Sequence, residues 1–169
     1  QLGSYPITLI SSVISTYLGP IYYERAGDAS DKLIMKKLFN LGIIINISIF
    51  SLFLIPLVIA FNYHELIFDL LVDIRYREVS YLLGPVMLGA VINQSAKYLV
   101  LLISSNENTK SLVIPNNVAH FLGIIITMVG AYLGNIEGVV IASIINSIVL
   151  FVFYILLIKN EYKSLKKIN

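Results

Sequence analysis

Five apolar stretches, at 2–23, 38–61, 79–103, 113–134 and 139–158, occupy 113 of the 169 residues. Each matches the ~20-residue helix that crosses about 30 Å of hydrocarbon. Backbone amides in lipid must be paired internally, which leaves helices or closed barrels. Barrel strands alternate apolar and polar residues over about ten positions. Runs such as the three consecutive isoleucines at 124–126 do not alternate, so helices are predicted. Charged residues make up 13% of the chain and the mean hydropathy is +0.84. Soluble domains carry about 25% charged residues. That deficit argues against an ordinary cytosolic enzyme, a disordered tail or a nucleic-acid reader. The expected fold is all-α and integral to a membrane: five transmembrane helices and one short interfacial helix.

The remaining charges lie mainly between the stretches. Loop 24–37 carries Arg25, Lys32, Lys36 and Lys37, loop 104–112 carries Lys110, and the tail 159–169 carries Lys159, Lys163, Lys166 and Lys167. Loop 62–78 holds Arg75 and Arg77, and loop 135–138 holds no cation. Cytoplasmic loops are the cation-rich ones. The first set is therefore predicted to be cytoplasmic, together with the C-terminus. The chain opens on Gln1, and no basic segment precedes its first apolar stretch. A signal peptide is not expected, and the chain is read as part of a longer protein continuing on the N-terminal side.

Glu65, Asp69 and Asp73 recur at every fourth position, with Leu66, Ile67, Leu70, Leu71 and Ile74 between them. This predicts an amphipathic helix over about 64–74, too short to span and suited to lie along the outer interface. All five prolines fall within apolar stretches; Pro20, Pro56 and Pro85 mark candidate kinks, which membrane helices tolerate. Small residues four apart, at Gly130/Gly134, Ala119/Gly123 and Gly138/Ala142, allow close backbone approach. They predict that the last two helices form a tight hairpin across 135–138.

The chain has no cysteine, no catalytic motif and no acidic residue deep within a stretch, so neither an enzyme nor a cofactor or metal site is expected. The most informative polar pattern is in the first helix. Ser4, Thr8, Ser11 and Ser15 form a stripe with Ser12 beside it, continued by Tyr22 and closed by Arg25. Such a stripe either lines a wet cavity and offers hydroxyls to a sugar, or bonds neighbouring helices and its own i−4 carbonyls. Lys97 is the one charge well inside a stretch. With Asn93, Gln94, Asn116, Asn117 and His120 it defines a candidate polar cluster in the cytoplasmic half. A lysine there attracts phosphate or snorkels to the interface. Tyrosines near the stretch ends read as interfacial anchors, with Tyr22 and Tyr23 also candidates for stacking on a sugar.

Several segments resemble a known family. Leu18-Gly19-Pro20 is followed by Tyr23-Glu24-Arg25-Ala26-Gly27-Asp28 and a basic helix start. A short helix sits before the third stretch. Ser104-Ser105-Asn106-Glu107-Asn108-Thr109-Lys110 leads to Asn116-Asn117, and Gly134-Asn135-Ile136-Glu137-Gly138 precedes the last stretch. Val139 and Val140 stand where the family usually has a small pair. Together these are similar to polysaccharide flippases of the Wzx type, in the multidrug/oligosaccharidyl-lipid/polysaccharide exporter superfamily.

The resemblance implies two pseudo-symmetric lobes around a central cavity, this chain being most of the C-terminal lobe. It implies transport of an undecaprenyl-pyrophosphate-linked oligosaccharide across the bacterial inner membrane for O-antigen or capsule. The implied partners are that substrate, membrane lipid, the N-terminal lobe and a polysaccharide polymerase, with no nucleic acid. The implied substrate-binding residues are Ser4, Thr8, Ser11, Ser15, Tyr22, Arg25, Asn93 and Lys97. A drug/cation antiporter of the same superfamily and a non-transporting membrane scaffold subunit are the alternative expectations.

Overall fold

The computed structural model describes residues 3–27, 32–104 and 110–167. Among them the secondary structure is entirely helical. Helix α1 runs Tyr5–Gly27, α2 Lys32–Asn62 and α3 His64–Leu71. A 3-10 helix, Ile74–Leu82, leads into α4, Leu83–Ser104. Helix α5 covers Lys110–Lys167.

Among the described residues, three helical segments are long and apolar enough to cross a membrane: Phe39–Asn62, Ile74–Ser104 and Leu112–Asn160. The sequence predicts five such stretches, and two physical differences separate the counts. The fourth and fifth are joined in one helical segment, α5. The first falls short because five hydroxyl residues between positions 8 and 16 dilute its apolar character. Outward side chains such as Ile44, Ile55 and Leu133 are 60%, 62% and 76% exposed. An outer surface so apolar is compatible with a lipid surround.

Helix α5 is not a straight rod. Gly134 (φ −137°, ψ 17°) and Asn135 (φ 50°, ψ −130°) leave helical geometry, and the chain doubles back there. The hydroxyl of Tyr154 donates to the Asn116 side chain, Gly123 sits against Asn146, and Gly130 against Gly138. In each pair one number rises as the other falls, so arms 110–133 and 136–167 are antiparallel. The predicted hairpin exists, with its turn at 134–135 rather than across 135–138. Residues 136–138 already belong to the return arm, because Asn135 alone supplies the positive φ that the reversal needs.

Helix α4 lies at the centre, with residues such as Met87, Val91, Ser95, Leu99 and Ile103 buried along its length. Two clusters stack along it. Ile7, Phe53, Leu57, Met87 and Val91 pack at one end, and Tyr22, Phe39, Leu102, Leu150 and Tyr154 at the other. Leu102 covers Gly42 and Phe61 covers Gly84, which sets α2 antiparallel to α4. Pro20 and Pro56 lie inside α1 and α2. Pro85 is in the first turn of α4, where its missing N–H removes no helical bond.

The predicted helix over 64–74 ends early. Val72 is extended (φ −130°, ψ 154°), and Asp73 caps the following 3-10 helix by accepting from the Arg75 backbone N–H at 3.0 Å. Asp73 is therefore not the third rung of an acidic ladder. At the other end of the chain α5 continues to Lys167, through what the sequence suggests is a tail.

Candidate functional site

The hydroxyls of α1 separate into two rows. Thr8, Ser12 and Thr16, four residues apart on one face, are exposed. Each donates its proton to the preceding turn: Thr8 to the Ser4 carbonyl at 2.9 Å, Ser12 to Leu9 at 2.8 Å, Thr16 to Ser12 at 2.9 Å. A hydroxyl so engaged has lost its donor to the helix and keeps oxygen lone pairs as acceptors. The exposed row therefore offers acceptors to a ligand that brings donors.

The second row faces α4. Ser11 is 3% exposed, and its hydroxyl lies 3.1 Å from both Gln94 Oε1 and Tyr98 Oη. Tyr98 donates to the Ser11 carbonyl at 2.9 Å, and Gln94 Nε2 donates to Thr8 Oγ1 at 3.2 Å. The Ser15 hydroxyl, half-buried, donates to the Ser11 carbonyl at 2.9 Å. Gln94 thus spans two turns of α1 and Tyr98 closes the seam. On the other side of α4, Asn46 of α2 donates to the Ser95 carbonyl at 2.7 Å.

The sequence-predicted site residues separate by position. Thr8 is in the exposed row, and Ser11 is spent on the seam. Ser4 and Ser15 are half-buried. Tyr22 is 3% exposed and packs with Phe39 and Leu102, so its ring serves the core rather than an open face. Arg25 falls near the end of α1, its side chain outside the described residues. Asn93 is half-buried and Lys97 exposed; Lys97 is three residues past Gln94 and four past Asn93, on one flank of α4.

Two members of the wider cluster suggested around Lys97 have partners elsewhere. Gln94 turns to α1 and Asn116 is engaged by Tyr154. His120 is exposed and opens on a shallow recess of about 460 Å³ with Thr127 and Asn146. Sequence reasoning missed Thr16, Asn46, Ser95 and Tyr98. Thr16 had a signal, four residues after Ser12. Tyr98 had one too: a tyrosine inside an apolar stretch needs a partner for its hydroxyl.

Away from these helices, Arg77 of the 3-10 helix pairs with Glu65 at 3.2 Å and Asp69 at 3.5 Å on α3. His64 Nδ1 lies 3.0 Å from the Ser80 hydroxyl. These contacts fasten α3 to the 3-10 helix. The Arg75 guanidinium, then its backbone N–H, hold the Asp73 carboxyl below the usual aspartate range.

No protein-family model, curated protein or solved structure matches the chain.

Proposed function

We propose that the chain is the C-terminal part of a multi-pass transporter that flips an undecaprenyl-pyrophosphate-linked oligosaccharide across the bacterial inner membrane for O-antigen or capsule. One observation carries the reading: an exposed row of hydroxyl acceptors, Thr8, Ser12 and Thr16, on a helix whose other exposed residues include Leu9, Val13 and Tyr17. Lipid supplies no hydrogen-bond donors to such a row, whereas sugar hydroxyls do. Lys97, exposed on the flank of α4 next to the seam, adds a cation suited to a pyrophosphate. In this reading α1, α2, α4 and the two arms of α5 make five passes. Helix α3 lies on the outer face, and the C-terminus is cytoplasmic. The two lobes rock about the site, and no bond is made or broken.

The scaffold alternative draws on the Ser11–Gln94–Tyr98 seam, which needs no ligand to explain it. Deleting the full gene separates the two. A flippase deletion traps lipid-linked repeat units on the cytoplasmic leaflet and strips the surface glycan. Normal surface glycan in the deletion strain ends the proposal.

A further inference from the structure

A groove of about 530 Å³ runs along the outside of the bundle between α2 and the return arm of α5. Its walls are mostly apolar: Ile43 and Ile47 from α2, Phe151, Ile155 and Ile158 from α5, and Leu99 of α4 at the base; Asn46, between the two isoleucines, is buried and spends its amide on the Ser95 carbonyl. At one end the lining turns polar, with Asn40 and Lys159. Lys37 stands one helical turn before Asn40 and is exposed. The charge bias of the loops puts this end at the cytoplasmic interface. From Phe151 to Lys159 the rise is about 12 Å at ~1.5 Å per residue. That is close to the depth of one leaflet, about half of the ~30 Å hydrocarbon.

We propose that this groove holds an acyl chain of an anionic phospholipid of the surrounding bilayer, its headgroup phosphate lying against Lys159 and Lys37. The lining divides as such a lipid does, hydrocarbon along the walls and cation at the interfacial end. A neutral lipid matches the walls but leaves the two lysines without a counter-charge. The proposal rests on the membrane placement above but not on transport, since it concerns a different face of the bundle from the α1 hydroxyl row.

The test uses the full-length protein in phosphatidylcholine nanodiscs. These are doped with phosphatidylglycerol carrying a photoreactive group on its acyl chain, or with phosphatidylcholine carrying the same group. The phosphatidylglycerol probe is expected to label peptides containing Ile43, Ile47 and Ile155 in preference to the phosphatidylcholine probe. Lys159→Ala and Lys37→Ala should each cut that preference about fivefold, the weight of one lysine near an anionic surface. Lys159→Arg should keep it. Circular dichroism guards against misfolding. Equal labelling by both probes overturns the proposal, as does labelling confined to other segments. Displacement of the probe by undecaprenyl pyrophosphate also overturns it, by making the groove a substrate site. Surface glycan, measured separately, reports on the flippase reading alone.

Discussion

Gly130 and Gly138 meet backbone to backbone across the α5 hairpin, so closely that a Cβ on either would overlap the other's carbonyl. This contact sets how near the two arms come, and Ala142 continues it one turn on. Gly138→Ala and Gly130→Ala should therefore each destabilise the protein by about 1–3 kcal/mol, the usual range for overpacking. A natural control is Gly19, where an added Cβ would meet nothing within 4 Å. Gly19→Ala should be neutral or stabilising by up to about 1 kcal/mol, since alanine favours helix. Unfolding in mixed micelles compares the three. Equal effects at Gly19 and Gly138 would refute the close approach.

The turn itself makes a second prediction. Asn135 is the one non-glycine residue with positive φ among the described residues. Asparagine tolerates that region better than most residues, and glycine better still. Asn135→Gly should preserve or raise the thermal midpoint. Asn135→Val forces a β-branched side chain into the same geometry and should cost about 1–3 kcal/mol. The reverse order would mean that the chain turns elsewhere.

Much of this was readable in the residues. The helical class followed from stretches too long and continuous for strands, and the hairpin from small residues four apart. Its turn was misplaced because Gly134 and Gly138 are equally good breakers by type, and only the positive φ at Asn135 decides between them. The acidic ladder failed at Asp73 for a related reason: a periodic pattern does not reveal that Val72 turns extended and frees the next aspartate to cap. The α1 stripe was legible as hydroxyls but not as two rows. Which hydroxyls face α4 depends on Gln94 and Tyr98, 83 and 87 residues away from Ser11, and local periodicity carries no information at that distance.

The seam should be energetically coupled. Tyr98→Phe removes the donor to the Ser11 carbonyl, and Ser11→Ala removes the hydroxyl between Gln94 and Tyr98. Each change should cost about 1 kcal/mol, the net value of one hydrogen bond. Because the two residues share contacts, the double mutant should fall short of the sum by about 0.6 kcal/mol, the average found between membrane helices. Strict additivity would show that the two side chains do not meet.

Asp73 gives a pH-dependent prediction. Its carboxyl accepts from Arg75 through the guanidinium and the backbone N–H, which lowers its pKa in the folded protein. A lowered folded value means that the ionised cap favours the fold above the ordinary aspartate range. That contribution fades as pH falls through the lowered value. A carbon-detected carboxyl titration should find the Asp73 midpoint below the normal aspartate value, and Arg75→Ala should bring it back up. The carboxylate is exposed at the surface, so the effect should be local to the 3-10 turn, with no shift in global unfolding. A midpoint unmoved by Arg75→Ala would remove the cap from the account.

The two hydroxyl rows allow transport to be separated from folding. Thr8→Val, Ser12→Ala and Thr16→Val take oxygens from the exposed row while keeping helix shape. The hydroxyls of Ser12 and Thr16 bond within α1, so stability should change little at those two positions. If sugar hydroxyls donate to this row, losing three acceptors at about 0.5–1.5 kcal/mol each should reduce export at least tenfold. Ser11→Ala should do the opposite, lowering stability through the seam while each folded molecule still exports. Thr8 belongs to both groups, because it also accepts from Gln94, and its single mutant should show both defects. Surface-glycan output normalised to protein level, measured for the four single variants and the triple mutant, distinguishes the cases. Full export from the triple mutant would leave the exposed row with no part in substrate handling and shift the weight to the scaffold reading.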